Sequence, residues 1–183
     1  MSLPQPITSW FDARGWSIHP HQQAMLDRAG DPATLLIAPT GGGKTLAGFL
    51  PSLVELSGDT HTGLHTLYVS PLKALAADIK RNLRGPVDEM GLPIRIEDRT
   101  GDTPASRKKA QRVDPPHILL TTPESLALLL SYEDAPRMFA GLSRIVVDEI
   151  HALADSKRGD QLVLALSRLQ SNCPNLRRVG LSA

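Results

Sequence analysis

An α/β domain with a mostly parallel central sheet and helices on both faces is the fold class this sequence predicts, on three observations. Six short runs rich in Val, Ile, Leu and Thr recur along the 183 residues. Segments of helical length separate them, in the rhythm of strand, helix, strand. Most of the runs lack the alternation of a half-exposed strand, which is the pattern of strands covered on both faces. With 41% apolar residues, the chain is long enough for one such domain and too short for two comfortable ones.

The runs are "TLLIA" from Thr34, "HTLYVS" from His65, "PIRIED" from Pro93, "HILLTT" from His117, "RIVVDE" from Arg144 and "RRVGLSA" from Arg177. Helices are expected over Lys44 to Leu56, Leu72 to Met90, Pro123 to Ser131 and Asp160 to Gln170. The first of these carries a conflict. Pro51 falls inside the apolar pattern Leu46, Phe49, Leu50, Leu53, Val54, where it removes a backbone hydrogen bond, so a kink or break is expected near Leu50. "SGDTHTG" and "VDPP" read as surface loops.

The single cysteine, Cys173, cannot form an internal disulfide, and this fits a reducing cytoplasm. The N-terminus lacks the basic start and apolar stretch of a secretory signal, and no run approaches the roughly 20 residues that span a bilayer. A cytoplasmic protein without a membrane partner is expected. The formal net charge of +1 shows no overall basic bias, so any contact with a polyanion has to come from local geometry.

"LLIAPTGGGKTLAG", residues 35 to 48, joins the first strand to the first long helix. A helix that begins directly after a strand presents free N–H groups and a partial positive charge, and glycines let a phosphate come close. Gly41, Gly42 and Gly43 supply that approach, Lys44 can reach the β and γ phosphates of ATP, and the Thr45 hydroxyl can ligate Mg²⁺. The binding loop is therefore Ala38, Pro39, Thr40, Gly41, Gly42, Gly43, Lys44 and Thr45. Ala38 stands where the phosphate-loop pattern has glycine. Pro39 pushes the residue before it to extended geometry, so alanine there points to a variant loop at negative φ.

"RIVVDEIH" places Asp148 and Glu149 at the carboxyl end of an apolar strand, the edge where a parallel sheet also presents its phosphate loop. Asp148 would hold Mg²⁺, and Glu149 would orient or deprotonate an attacking water. Lys44 and Glu149 are thus the expected catalytic pair. His151 takes no role from periodicity.

Ser70-Pro71, Thr103-Pro104 and Thr122-Pro123 share a pattern of capping hydroxyl followed by proline at the first helical position. Two of them follow expected strands directly, so their helix N-termini would open at the same edge and could grip phosphates through backbone amides. The alternative is that they are simply well-made caps, and Glu124 would repel a phosphate. "RKKAQR", residues 107 to 112, is either a further basic contact or a solvated helix face.

Taken together, "APTGGGKT", "SPLKAL", "RTGDT", "TTPESL", "DEIH" and a terminal "SA", in this order, resemble the first RecA-like domain of a superfamily-two DExH-box helicase, a P-loop NTPase fold. "RTGDT", "TTPESLALLL" and "KRGDQLVLALSRL" resemble most closely the bacterial large helicase-related group, including its ligase-associated DNA-repair branch. The resemblance implies a helicase ATP-binding domain over 1–183, with 1–30 an N-terminal helical segment in which Gln22 of "HPHQQA" contacts adenine. It implies nucleic-acid contacts, to DNA in preference to RNA, from Pro71, Lys73, Arg99, Thr100, Gly101, Thr122 and Pro123. It gives His151 and Ser182 the part of coupling hydrolysis to strand movement. It also implies a second RecA-like domain with an arginine finger, absent from these 183 residues, and DNA-repair partners such as a ligase. An arginine finger is worth about 10³ to 10⁵ in rate in related systems, so poor hydrolysis by this chain alone is expected. Two other readings stand beside this one: another P-loop phosphotransferase, for which neither lid nor acceptor segment is visible, and a nucleic-acid-binding module without turnover.

Overall fold

In the computed structural model, which describes residues 3–39, 41–58 and 61–183, all six expected runs are strands. They are β1 (Ala33–Ile37), β2 (Thr66–Val69), β3 (Ile96–Arg99), β4 (Ile118–Thr121), β5 (Arg144–Val147) and β6 (Arg177–Ser182). They form one sheet in the order β1-β6-β5-β2-β4-β3, and every pairing is parallel. The central strands alternate their side chains between two cores. Tyr68, Ile118, Leu120 and Val146 point to one, and Leu67, Val69, Leu119, Ile145 and Val147 to the other. Both faces of these strands are covered, which is why their sequences show no polar alternation.

The first core is closed by α1 (Gln5–Ala13), α2 (Pro20–Asp27), α3 (Lys44–Gly58) and α4 (Lys73–Glu89). The second lies under α6 (Pro123–Leu130), α7 (Ala135–Met138) and α9 (Lys157–Asn172), while α5 (Ala105–Val113) and α8 (Ile150–Leu153) complete the connections. Cys173 is buried, and its thiol donates to the Phe139 carbonyl oxygen at 3.2 Å. No helix among the described residues is long and apolar enough to cross a membrane.

Four expectations are corrected. The first run is not buried on both sides: β1 is a terminal strand, and Leu35 and Ile37 are 57% and 69% exposed. Leu35 borders an open groove with Ile150 and Leu166, so β1 has a helix packed against one face only. Of the kink or break expected near Leu50, the break does not occur, for α3 runs unbroken from Lys44 to Gly58 with Pro51 inside it. Proline inside a helix costs about 3 kcal/mol. Burial of Phe49, Leu50, Leu53 and Val54, at roughly 1.5–3 kcal/mol each, outweighs it.

The other two corrections concern caps. Ser70 is not a helix cap, because its hydroxyl accepts from the Leu72 amide at 3.4 Å and that turn delays α4 to Lys73. Thr103 is not one either. Its hydroxyl accepts from the Thr100 amide at 3.0 Å, and Pro104 takes the cap position of α5. Thr122 does cap α6, accepting from the Ser125 amide at 3.4 Å. Ser156 caps α9 in the same way, accepting from the Gly159 amide at 3.1 Å, so that helix begins three residues before the expected Asp160.

Candidate nucleotide and nucleic-acid site

Parallel pairing puts the carboxyl ends of β1, β5 and β6 side by side, and the segments that leave them meet at one edge. Ala38 continues the β1 ladder by donating to the Ser182 carbonyl at 3.1 Å. Among the described residues only Glu149 and Asp155 are non-glycines at positive φ, so Ala38 keeps the negative φ expected of it. Gly41 and Gly43 carry the turn instead, at φ +84° and +73°. Thr40, expected to bind nucleotide, lies outside the described residues.

Lys44 opens α3 and is only 6% exposed. Its ammonium has no hydrogen-bond partner among the described residues and stands 3.5 Å from Glu149 Oε1. A buried cation without a hydrogen-bonded acceptor is costly, and an arriving anion relieves that cost. Gln22, buried on α2, accepts from the His19 amide through Oε1 at 3.0 Å. That bond directs Nε2 toward the loop, where a Cβ on Gly43 would come within 2.8 Å of it. Trp16, His19, Gln22, Gly41, Gly43 and Leu46 line an open cavity of about 500 Å³, large enough for a nucleobase and its sugar. A glycine loop, a buried unsatisfied lysine and a lined cavity suit ATP.

Asp148 follows β5 and is buried. Its Oδ1 accepts from the Glu149 amide at 2.8 Å, and its Oδ2 accepts from the Tyr68 hydroxyl. Burial, then the charge of Asp148, push the Tyr68 pKa upward, so the phenol stays a donor. Glu149 adopts the left-handed conformation at φ 48°, which turns the chain from β5 into α8. From there its carboxylate reaches Lys44 through Oε1 and His151 Nε2 through Oε2, the latter at 3.2 Å. His151 Nδ1 is 3.0 Å from the Ser182 hydroxyl. Lys44, Glu149, His151 and Ser182 thus form one chain of contacts, and the Ser182 carbonyl returns it to Ala38.

Mg²⁺ keeps several waters and takes one or two protein oxygens beside those of phosphate. The half-buried Thr45 hydroxyl and the Asp148 carboxylate are such oxygens, at the ends of the two segments that flank Lys44. Among the described residues no group of three or more His, Cys, Asp or Glu could hold a metal ion. An ion here would share its shell with phosphate and water.

The expected nucleic-acid contacts divide. Lys73 and Gly101 are exposed and adjacent: the Lys73 ammonium lies 3.2 Å from where a Gly101 Cβ would stand and pairs with Asp102 at 3.1 Å. Pro71, Thr100, Thr122 and Pro123 are buried and could offer backbone only. Arg99 does not reach the surface: it is 2% exposed and donates to the Lys108 carbonyl at 2.7 Å. In the "RKKAQR" segment the two arginines are neutralised, Arg107 by Glu97 and Asp98, Arg112 by Asp134, while the Lys108 ammonium donates to the Gly101 carbonyl. Glu124 is paired with Arg158.

Tyr68 escaped the sequence reading. A lone tyrosine in a buried run is itself a signal, since a buried phenol needs a partner for its hydroxyl.

A family model of DEAD/DEAH box helicases matches residues 19–183. The chain is 41% identical to an ATP-dependent helicase Lhr-Core protein 2 of Thermococcus barophilus, covering 99% of this chain and 23% of that protein. It is 44% identical to a Lhr helicase/probable uracil glycosylase of Mycolicibacterium smegmatis, over 82% of this chain and 11% of that one. Among solved structures, the Mycobacterium smegmatis helicase Lhr bound to ssDNA and AMP-PNP superposes with a TM-score of 0.90 at 40% identity, covering 99% of this chain and 25% of that chain. The chain therefore spans a quarter or less of the length of these proteins. Matched over nearly its whole length, and with the phosphate loop and acidic strand end at one edge of a RecA-like sheet, this chain belongs to the DEAD/DEAH box helicase family.

Proposed function

We propose that this domain is the ATP-binding half of the motor of a cytoplasmic DNA helicase, in which ATP hydrolysis drives movement along a strand. The observation that carries this reading is the buried Lys44 ammonium. It has no hydrogen-bond partner among the described residues, lies 3.5 Å from Glu149, and follows directly on the glycine turn.

Each residue has a part. Gln22 Nε2 donates to the base, and the amides of Gly41 to Lys44 wrap the phosphates. Lys44 transfers from Glu149 to the β and γ phosphate oxygens. Glu149, released from that contact and still held by His151, orients the attacking water and accepts its proton. Thr45 and Asp148 would hold Mg²⁺, which would neutralise charge on the phosphates. His151 and Ser182 connect Glu149 to the end of β6, so a change in the Glu149 contacts is felt at that strand.

Lys73, the Gly101 backbone and the N-terminus of α6 offer contacts to a DNA backbone. A second RecA-like domain of the same polypeptide would supply the arginine finger. A place in DNA repair, beside a ligase, follows from the resemblance in "RTGDT" and "KRGDQLVLALSRL". The phosphotransferase reading leaves the pairing of Lys73 with the Gly101 turn without a use. The non-catalytic reading leaves Glu149 in a strained conformation for nothing.

Binding of labelled single-stranded DNA, with and without AMP-PNP, and single-turnover cleavage of ATP test this. The expected result is DNA binding that responds to nucleotide, with slow cleavage by the 183-residue chain. Nucleotide binding without any affinity for DNA would favour the phosphotransferase.

A further inference from the structure

Tyr68 sits in β2 beside β5, in register with Val146, and is fully buried. Asp148 lies two residues beyond Val146, which brings it back to the same face of the sheet. The Tyr68 ring therefore runs under the edge of the sheet toward Asp148, and its hydroxyl donates to Oδ2. The Glu149 amide already occupies Oδ1. With one donor on each oxygen, turning the carboxylate plane would break both hydrogen bonds. The ring is itself fixed by stacking on Phe49 of α3, with centroids 5.1 Å apart and planes 22° apart. Phe49 is five residues past Lys44, so the helix that follows the phosphate loop and the metal-holding carboxylate share one rigid contact.

We propose that Tyr68 is a positioning residue for Mg²⁺: its hydroxyl sets the orientation in which Asp148 meets the ion that accompanies the nucleotide. This rests on the reading of Asp148 as the Mg²⁺-holding carboxylate. Tyr68 touches neither nucleotide nor metal and acts only through Asp148. Outer partners of metal-holding groups typically change metal affinity about 10- to 100-fold when removed.

The test is the Mg²⁺ dependence of ADP binding, followed with a fluorescent analogue, in wild type, Tyr68→Phe, Asp148→Asn and the double variant. Tyr68→Phe keeps the stacked ring and removes one oxygen. It should raise the Mg²⁺ midpoint by about tenfold or more while leaving ADP binding in EDTA unchanged. In the Asp148→Asn background it should add nothing. If Asp148→Asn shifts the midpoint and Tyr68→Phe does not, Tyr68 only packs and this inference fails while the reading of the site stands. If neither shifts it, the reading of Asp148 fails first. Should Tyr68→Phe not fold, wild-type protein labelled with 3-fluorotyrosine decides. Only Tyr68 and Tyr132 give ¹⁹F signals, and that of Tyr68 should move when Mg²⁺ is added to the ADP complex. No movement overturns the proposal.

Discussion

Three successive glycines of the phosphate loop should respond very differently to the same added methyl group. Gly43 is at φ +73°, and its Cβ would come within 2.8 Å of Gln22 Nε2. Left-handed backbone costs an alanine about 1–2 kcal/mol. Displacing Gln22 breaks its bond with the His19 amide, for about 0.5–1.5 kcal/mol more. Gly41 is at φ +84° with open space around it, so Gly41→Ala carries the backbone cost alone. Gly42 is not at positive φ, and its Cβ would meet the Pro39 carbonyl oxygen at 3.4 Å, an ordinary contact. Gly42→Ala should stay within about 1 kcal/mol of wild type. Thermal unfolding of the nucleotide-free variants gives the ranking. Gly43→Ala should lose roughly 3–14 °C, at about 2–4 °C per kcal/mol for a domain of this size, Gly41→Ala less and Gly42→Ala least. Because Gln22 lines the base cavity, Gly43→Ala should also reduce the preference for ATP over other nucleoside triphosphates in competition binding. Equal losses at Gly42 and Gly43 would refute the reasoning.

Glu55, near the end of α3, lies at the opposite edge of the sheet from Lys44, where Arg144 and Arg177 at the starts of β5 and β6 clamp its carboxylate. Burial alone would raise its pKa, but hydrogen bonds from His65 and Arg144 and the charges of both arginines bring it down to about 2 from 4.5. The stability it contributes is complete above pH 4.5 and lost as pH falls toward 2, on the order of 3 kcal/mol, so an acid titration should lose that much less in Glu55→Gln. Glu149→Gly should relieve about 1 kcal/mol of left-handed strain but leave the buried Lys44 ammonium without the carboxylate it faces, so the melting temperature should fall while turnover is abolished. Thr122→Ala should cost about 1 kcal/mol in urea unfolding through loss of the α6 cap. Gly159→Ala should cost far more, because a Cβ there would stand 2.1 Å from the Leu153 carbonyl oxygen.

The architecture was legible because parallel strands buried on both faces leave continuous Val, Ile and Leu runs, and Asp148, Glu149 and the glycine loop sit at their carboxyl ends for reasons of spacing alone. What escaped depends on tertiary neighbours. Ser70, Thr103 and Thr122 share one local grammar, yet only Thr122 caps a helix, since the other two hydroxyls are taken by nearby amides. The resemblance makes Arg99 a nucleic-acid contact, but Lys108 and Gln111 of α5 fold over it. The exposure of Leu35 follows from strand order, and the partner of Tyr68 from register. Pro51 is overridden by the burial of its neighbours, a balance that local pattern cannot weigh.

Whether phosphate is what Lys44 awaits is decided by the equilibrium affinity of Lys44→Ala for ATP, measured by calorimetry in the presence of Mg²⁺. If the unsatisfied ammonium awaits phosphate, the variant loses at least one charge-assisted hydrogen bond, about 1.5–3 kcal/mol, and affinity falls about 10- to 150-fold. An affinity equal to that of wild type would mean that the phosphates do not bind at this loop.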